Sequence, residues 1–159
     1  QMGPVNNERQ LLKVEGLVNH AVEKGATLVC GGSRYADHRK IGYFYKPTVI
    51  TNIDDDFKIV KEEQFGPAIP ILTYRDVDDA VARANATDYG LGGSVWTENA
   101  KKGLEIADRI ECGTVWVNTH MLVEHSAPFS GIKKSGMGRE LGRPGLEEYM
   151  QHKTTYLRK

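Results

Sequence analysis

A short run between two predicted strands carries the residue types best suited to holding a ligand. Residues 61–67 read Lys-Glu-Glu-Gln-Phe-Gly-Pro, so two carboxylates precede an aromatic ring and a Gly-Pro pair. A carboxylate at this place could accept hydrogen bonds from the vicinal hydroxyls of a ribose, and the aromatic ring could lie against a flat heterocycle. The same spacing also fits a charged loop anchored by one Phe, and the pattern alone does not decide between the two.

The two cysteines, Cys30 and Cys112, do not have the sequence surroundings of a nucleophile. A catalytic thiol needs a lowered pKa, which a helix N-terminus or a neighbouring cation supplies. Cys30 ends a predicted strand, and Cys112 follows a predicted helix whose C-terminal dipole disfavours a thiolate. We predict that both are buried, unreactive thiols. Two cysteines without disulfide or zinc-site spacing also favour a reducing, cytoplasmic compartment.

The histidines and the glycine-rich run give weaker signals. The five histidines show no metal-ligand spacing: His20, His38, His120, His125 and His152. His120 and His125 follow a predicted strand end, where functional groups are common in α/β sheets, and exposed loop histidines are the alternative. Residues 131–138 are rich in glycine, but the order of the glycines and the lack of a strand immediately before them favour a close-packed connecting loop over a phosphate-binding loop.

These residues are carried by alternating strands and helices. The alternation predicts an α/β fold with an open, largely parallel sheet flanked by helices. Strands are predicted over residues 26–30, 47–53, 68–74, 92–96 and 114–118. A first helix is predicted from Asn6 or Asn7 to Gly25, with a buried face of Leu11, Val14, Val18 and Ala21 or Val22. A second is predicted from Asp76 to Asn85, with an inward face of Val77, Ala80, Val81 and Ala84. A third is predicted to begin at Thr97 or Asn99, with an inward face of Leu104, Ala107 and Ile110. A helical turn over 144–150 and a terminal strand, Lys153–Arg158, complete the prediction.

Bulk properties exclude several classes of partner. The chain has 159 residues, about one domain, and its 21 Lys+Arg balance its 21 Asp+Glu. This balance gives no electrostatic reason to bind nucleic acid or an anionic membrane surface. No apolar run approaches the roughly 18 residues of a membrane span. Residues 1–7 lack the basic and apolar regions of a signal peptide.

Several motifs together resemble the NAD(P)-dependent aldehyde dehydrogenase superfamily, and they follow one another in the family's order over essentially the whole chain. The family's Glu-x-Phe-Gly-Pro signature is matched by residues 63–67. The other matching runs are Gly3-Pro4-Val5, residues 42–48, Ala84-Asn85, Tyr89-Gly90-Leu91, residues 113–118, residues 128–136 and residues 138–142. One departure is Ser130, where the family usually has glycine, so the local turn is expected to differ.

The resemblance implies roles for particular residues. Glu63 resembles the glutamate that binds the nicotinamide ribose, and Phe65 the aromatic that lies near the nicotinamide of NAD or NADP. Residues 118–129 resemble the segment that lines the aldehyde entrance, with Phe129 near the reacting carbon. Candidate pocket residues are Asn118, His120, Val123 and Phe129.

The resemblance also implies what this chain does not hold. In the family the thiol nucleophile, the general-base glutamate and the oxyanion asparagine lie upstream of the matching region, so we expect no catalytic residue here and no activity from the chain alone. Residues 1–150 are expected to form the C-terminal part of the catalytic domain. Residues 151–159 resemble the family's oligomerisation strand, which implies a homo-oligomer, a dimer or tetramer. By pattern alone, that strand could equally pair with the edge of its own sheet.

Two other functions fit parts of the pattern. The chain could be a non-catalytic oligomerisation or regulatory module of the same fold, or an independent nucleotide-binding domain. The last hypothesis predicts that the chain alone binds NAD⁺. We expect no such binding, because a single ribose contact cannot offset the cost of ordering a dinucleotide.

Overall fold

The computed structural model describes residues 2–35 and 42–159, which form two compact units, Gln1–Thr73 and Tyr74–Lys159. His38 lies outside the described residues. The helices of the described ranges are α1 (Glu8–Glu23), α2 (Lys58–Lys61), α3 (Val77–Asn85), α4 (Ala100–Ala107) and α5 (Gly142–Glu147). Their strands are β1 (Thr27–Cys30), β2 (Thr48–Thr51), β3 (Ala68–Pro70), β4 (Tyr89–Gly90), β5 (Gly92–Val95), β6 (Thr114–Val117) and β7 (Ile132–Lys133).

The α1 helix begins and ends where the sequence predicts. Asn7 caps its first turn by accepting a hydrogen bond from the Gln10 N–H at 2.9 Å. Gly25 follows the last turn with φ 95°, a left-handed conformation that favours glycine. The apolar stripe of the helix is buried in the core, except that Ala21 and not Val22 faces inward. The buried residues of α1 are Leu11, Val14, Leu17, Val18 and Ala21.

The first unit is completed by a sheet in the order β1-β2-β3. β2 is its central strand, and Ile50 is fully buried against α1 and α2 in one hydrophobic core. β2 and β3 are parallel, as predicted, whereas β1 and β2 are antiparallel with a register shift between Leu28 and Cys30. No crossover helix was predicted between β1 and β2, so an antiparallel pairing is available to them.

The second unit contains the predicted strand–helix–strand crossover. β5 and β6 are parallel neighbours of a βαβ unit, with α4 between them along the chain. Asp76 caps α3 and Asn99 caps α4, each through its side-chain oxygen. The α/β class is therefore confirmed, although the strands form small sheets and are shorter than predicted.

The inward face of α4 corrects one prediction. Leu104 was expected to face inward but is 61% exposed, and Gly103 is buried instead. A Cβ at Gly103 would come within 2.7 Å of Val117 Cγ1, so the helix lies against β6 at its glycine. This close approach leaves Leu104 outside, whereas Ala107 and Ile110, which were also expected to face inward, are half-buried. Ala84 of α3 was also predicted to be inward and is exposed.

The last part of the chain contains less regular structure than predicted. β7 pairs antiparallel with β4, and α5 covers residues 142–147 where a turn over 144–150 was predicted. Residues 151–159, expected to contain a strand, are assigned neither helix nor strand and are exposed throughout. A strand requires a hydrogen-bonded neighbour, and none of the described strands provides one for this segment.

Candidate functional site

The Glu62–Pro67 segment lies between α2 and β3 and displays its two predicted site residues to solvent. Glu63 is exposed, and the Phe65 side chain is 75% exposed. Phe65 has φ 47°, a left-handed conformation that a bulky residue seldom adopts. A large apolar ring held outward in a disfavoured backbone conformation is typical of a binding site rather than of an anchored loop.

Two polar side chains of α1 hold the backbone of this segment. Lys13 Nζ donates to the Glu63 carbonyl oxygen at 2.5 Å, and Gln10 Nε2 donates to the carbonyl oxygens of Gln64 and Phe65. These hydrogen bonds are accepted by backbone oxygens, so they do not involve the Glu63 carboxylate or the Phe65 ring. Sequence reasoning did not single out Gln10 or Lys13; their position on the exposed side of a predicted helix gave no sign of this role.

Gly66 lets the segment approach α1 closely. A Cβ at Gly66 would collide with Val14 Cγ2 in the buried core. Phe65 also lines a cleft of about 470 Å³ together with residues 2–6. The segment therefore combines a carboxylate, an exposed ring and an adjacent cleft on a backbone fixed by α1.

The predicted entrance segment, residues 118–129, follows β6 in the second unit. His120 and Val123 are exposed, and Phe129 is half-buried. The Asn118 amide is engaged twice with the backbone of Thr97, accepting from its N–H and donating to its carbonyl oxygen, both at 2.8 Å. These two bonds tie the end of β6 to the end of β5, so the Asn118 side chain holds the start of the segment.

Phe129 is held at the other end of the segment by its backbone. Its N–H donates to the Glu140 carbonyl oxygen at 2.7 Å, and the Glu140 N–H donates back at 2.8 Å. Phe129 also lines a cavity of about 350 Å³ that includes Leu91, Met137 and Tyr149. Part of the glycine-rich run 131–138 contributes to this lining, and the run contains β7. The connecting-loop interpretation is therefore met only by the residues that follow β7.

The two cysteines differ from the prediction and from each other. Cys30 was predicted to be buried, but it is exposed because β1 is an edge strand whose register shifts at this point. Cys112 is half-buried, and burial raises the pKa of its thiol. Its Sγ donates to the Thr114 carbonyl oxygen at 3.1 Å. A raised pKa opposes thiolate formation, so Cys112 does not have the environment of a nucleophile.

Within the described residues, no group of three or more His, Cys, Asp or Glu side chains is arranged to hold a metal ion. No helix in this part of the chain is long and apolar enough to span a membrane.

Comparison with known proteins identifies the family. The sequence model of the aldehyde dehydrogenase family matches residues 1–155. The chain belongs to the aldehyde dehydrogenase family. An aldehyde dehydrogenase of Enchytraeus buchholzi is 45% identical over 98% of this chain and 31% of its own length. Human retinaldehyde dehydrogenase 3 is 42% identical over 99% of the chain and 30% of its own length. The chain thus spans about 30% of the length of these relatives.

Solved structures of aldehyde dehydrogenases have the same fold. The aldehyde dehydrogenase of Mycobacterium tuberculosis, solved in complex with NAD⁺, superposes with a TM-score of 0.89 at 42% identity, over 95% of this chain and 31% of that one. A betaine aldehyde dehydrogenase of Staphylococcus aureus gives a TM-score of 0.88 at 40% identity, over 94% of this chain and 30% of that one. The resemblance found in the motifs is therefore confirmed in both sequence and fold.

Proposed function

We propose that this chain is the C-terminal part of an enzyme that oxidises an aldehyde to a carboxylic acid with NAD(P)⁺ through a cysteine thioester. In this proposal the nucleophile, the general base and the oxyanion asparagine come from the upstream part of the relatives' length. The raised pKa of Cys112 supports this division of the chemistry.

The observation that carries the proposal is the geometry of the Glu62–Pro67 segment. A free carboxylate can accept both hydroxyls of a ribose, and an exposed ring can lie against the nicotinamide, so the side chains of Glu63 and Phe65 fit this part of the cofactor. Bound NAD(P)⁺ would accept the hydride from the substrate. Glu63 would orient the ribose, and Phe65 would limit the movement of the ring, while Gln10 and Lys13 keep their backbone in place.

Residues 118–129 are proposed to form one wall of the aldehyde entrance. His120, Val123 and Phe129 would contact the substrate chain, whereas Asn118 would act by holding β6 to β5. The half-buried ring of Phe129 and the exposed side chains before it supply the apolar surface that such a wall needs.

The terminal segment, residues 151–159, is proposed to pair as a strand with another subunit of a homo-oligomer, leaving residues 1–150 as the partial catalytic domain. Tyr156 is 92% and Leu157 is 87% exposed, and the segment is paired with none of the described strands. Addition to the edge of a neighbouring sheet would satisfy its backbone and cover these side chains. The unpaired cysteines support a cytoplasmic location for the enzyme.

The proposal is tested with a protein that contains this chain and the upstream part that its relatives possess. We refer to that protein as the full-length enzyme. We expect the full-length enzyme to reduce NAD⁺ or NADP⁺ in the presence of aldehydes, and the chain alone to show neither activity nor calorimetric binding of NAD⁺. Binding of NAD⁺ by the chain alone would instead support an independent nucleotide-binding domain. A full-length enzyme that oxidises none of a broad panel of aldehydes would overturn the proposal.

A further inference from the structure

Trp116 is a buried aromatic residue whose only polar group is directed at the entrance segment. It lies on β6, is 7% exposed, and donates a hydrogen bond from its indole Nε1 to the Leu122 carbonyl oxygen at 2.8 Å. A buried indole N–H requires a partner, since an unpaired donor in the interior carries a desolvation penalty. The orientation of the ring and the position of Leu122 are therefore fixed together.

The neighbouring strand leaves the indole a defined space. Gly92 of β5 lies beside the ring, and a Cβ at Gly92 would come within 2.6 Å of Trp116 Cζ3. The ring of His120 meets the indole edge to face, with the ring centroids 5.3 Å apart and an interplanar angle of 74°. Trp116 thus contacts the entrance segment at two points, His120 and Leu122.

The backbone from Asn118 to Met121 has two residues in the left-handed region. Asn118 has φ 55° and Met121 has φ 59°, left-handed values that are disfavoured for residues with a side chain. Such conformations persist where surrounding contacts impose them. The contacts nearest to these two residues are the Asn118–Thr97 hydrogen bonds and the hydrogen bond from Trp116 to the Leu122 carbonyl oxygen.

The conformation held in this way presents a continuous apolar surface. Met121, Leu122 and Val123 are 66%, 57% and 44% exposed, three consecutive apolar side chains turned outward. Their side chains carry neither a charge nor an aromatic ring to attract a cationic substrate. A surface of this composition recognises an uncharged, apolar chain.

We propose that Trp116 is a positioning residue that holds Met121–Val123 as an apolar wall, and that the enzyme consequently favours aldehydes with long apolar chains. The inference rests on the proposed function, because it takes residues 118–129 as part of the aldehyde entrance. Trp116 itself does not contact the substrate in this account. It acts on selectivity through the Leu122 carbonyl and the His120 ring.

The test compares three aldehydes in the full-length enzyme and in its Trp116→Phe variant: a short-chain aliphatic one, a long-chain aliphatic one, and one carrying a quaternary ammonium group. Phenylalanine keeps most of the ring but removes the Nε1 donor. The wild type should prefer the long-chain aldehyde. In Trp116→Phe the ratio of kcat/KM for the long-chain over the short-chain aldehyde should fall about tenfold, mainly through KM, as expected for one lost buried hydrogen bond.

The ratio separates positioning from a general loss of folded enzyme, which would lower both kcat/KM values equally. Trp96→Phe is the matched control, because Trp96 is 67% exposed beyond β5 and should leave the ratio unchanged. Val123→Ser provides a second variant at an exposed position that folding does not depend on, and it should lower the ratio as well.

An unchanged ratio in either Trp116→Phe or Val123→Ser, or a wild-type preference for the quaternary ammonium aldehyde, overturns the inference while the proposed function stands. A full-length enzyme that oxidises no aldehyde overturns both.

Discussion

Gln10 and Lys13 show how single residues connect the first helix to the proposed cofactor contact. Both donate hydrogen bonds to backbone oxygens of the Glu62–Pro67 segment. The α1 helix therefore supports the backbone of this segment, while the side chains of Glu63 and Phe65 remain available to a ligand. The residue types of this run suggested a carboxylate for a ribose and a ring for a flat heterocycle, and the family resemblance then singled out Glu63 and Phe65. Neither could identify their supports, since a lysine and a glutamine on a helix surface are ordinary solvated residues.

The two cysteines allow a prediction at the same scale. Cys30 is exposed, whereas burial raises the pKa of Cys112, so Cys112 should carry little thiolate near neutral pH. Iodoacetamide should therefore alkylate Cys30 well before Cys112 in the native protein, as measured by peptide mass spectrometry over time. In denaturant the two rates should converge. Faster labelling of Cys112 than of Cys30 in the native protein would contradict the conclusion that Cys112 is partly buried and mostly protonated.

At the scale of elements, the pattern predicted the three longer helices and the five longer strands, but it missed α2, β4 and β7 and predicted a terminal strand that the structure lacks. It also failed where contacts between elements decide which side chains are buried. The capping residues Asn7 and Asp76 and the stop at Gly25 are local signals, and they are where the sequence places them. The inward face of α4 depends instead on how closely Gly103 approaches β6, which no local pattern records. The exposure of Cys30 likewise depends on β1 being at the edge of its sheet.

Gly113 provides a test of close packing between elements. A Cβ there would overlap the Ser130 carbonyl oxygen, a backbone atom that cannot rotate away. Gly113→Ala should therefore destabilise the protein by about 3 kcal/mol, because the two backbone stretches must separate. Gly16→Ala is the control: this glycine lies in α1 with open space around it, and the change should stabilise by about 0.5–1 kcal/mol. Equal effects of the two changes in thermal unfolding would contradict the packing described.

The ion pair of Glu15 and Arg34 links α1 to the chain after β1 and makes a pH prediction. The hydrogen bond from Arg34 lowers the pKa of Glu15 below its ordinary value of 4.5. A lowered carboxyl pKa stabilises the folded state when the pH is above the ordinary pKa of the group. This stabilisation is lost as the pH falls through the lower pKa of the folded state. Because the pair is partly exposed to solvent, this contribution to stability should be small.

Glu15→Gln should accordingly lower the melting temperature near neutral pH and have a smaller effect below pH 4.5. Glu23→Gln, an exposed change at the end of α1, serves as the control. A Glu15→Gln effect that grows as the pH falls would contradict the assigned sign.

At the scale of the whole molecule, the terminal segment is the feature that a single chain leaves unexplained. Deletion of residues 151–159 from the full-length enzyme should shift its sedimentation towards smaller species, because the proposed pairing between subunits is lost. Tyr156→Ser with Leu157→Ser should shift it in the same direction, since the two side chains are 92% and 87% exposed in the single chain. An unchanged sedimentation profile after deletion would remove residues 151–159 from the subunit interface.

The first unit also exposes apolar side chains on its sheet. Val29 is 59%, Ile69 is 61% and Ile71, just beyond β3, is 50% exposed. Exposed apolar side chains of this kind favour association with another surface. We therefore expect the chain by itself to self-associate or to be marginally stable. A stable monomer in sedimentation would contradict this expectation.

Glu63 is proposed to contact the cofactor of an aldehyde dehydrogenase, and the adjacent glutamate Glu62 allows this contact to be tested directly. Both Glu62 and Glu63 are exposed, so neither Glu62→Gln nor Glu63→Gln should disturb folding. The measurement is the rate of hydride transfer to NAD(P)⁺ in a single turnover of the full-length enzyme, with KM for the cofactor as its companion. We predict that Glu63→Gln slows hydride transfer or raises that KM by about tenfold, the loss of one charged hydrogen-bond acceptor, while Glu62→Gln behaves as the wild type. Wild-type hydride transfer and an unchanged KM in Glu63→Gln would contradict the account.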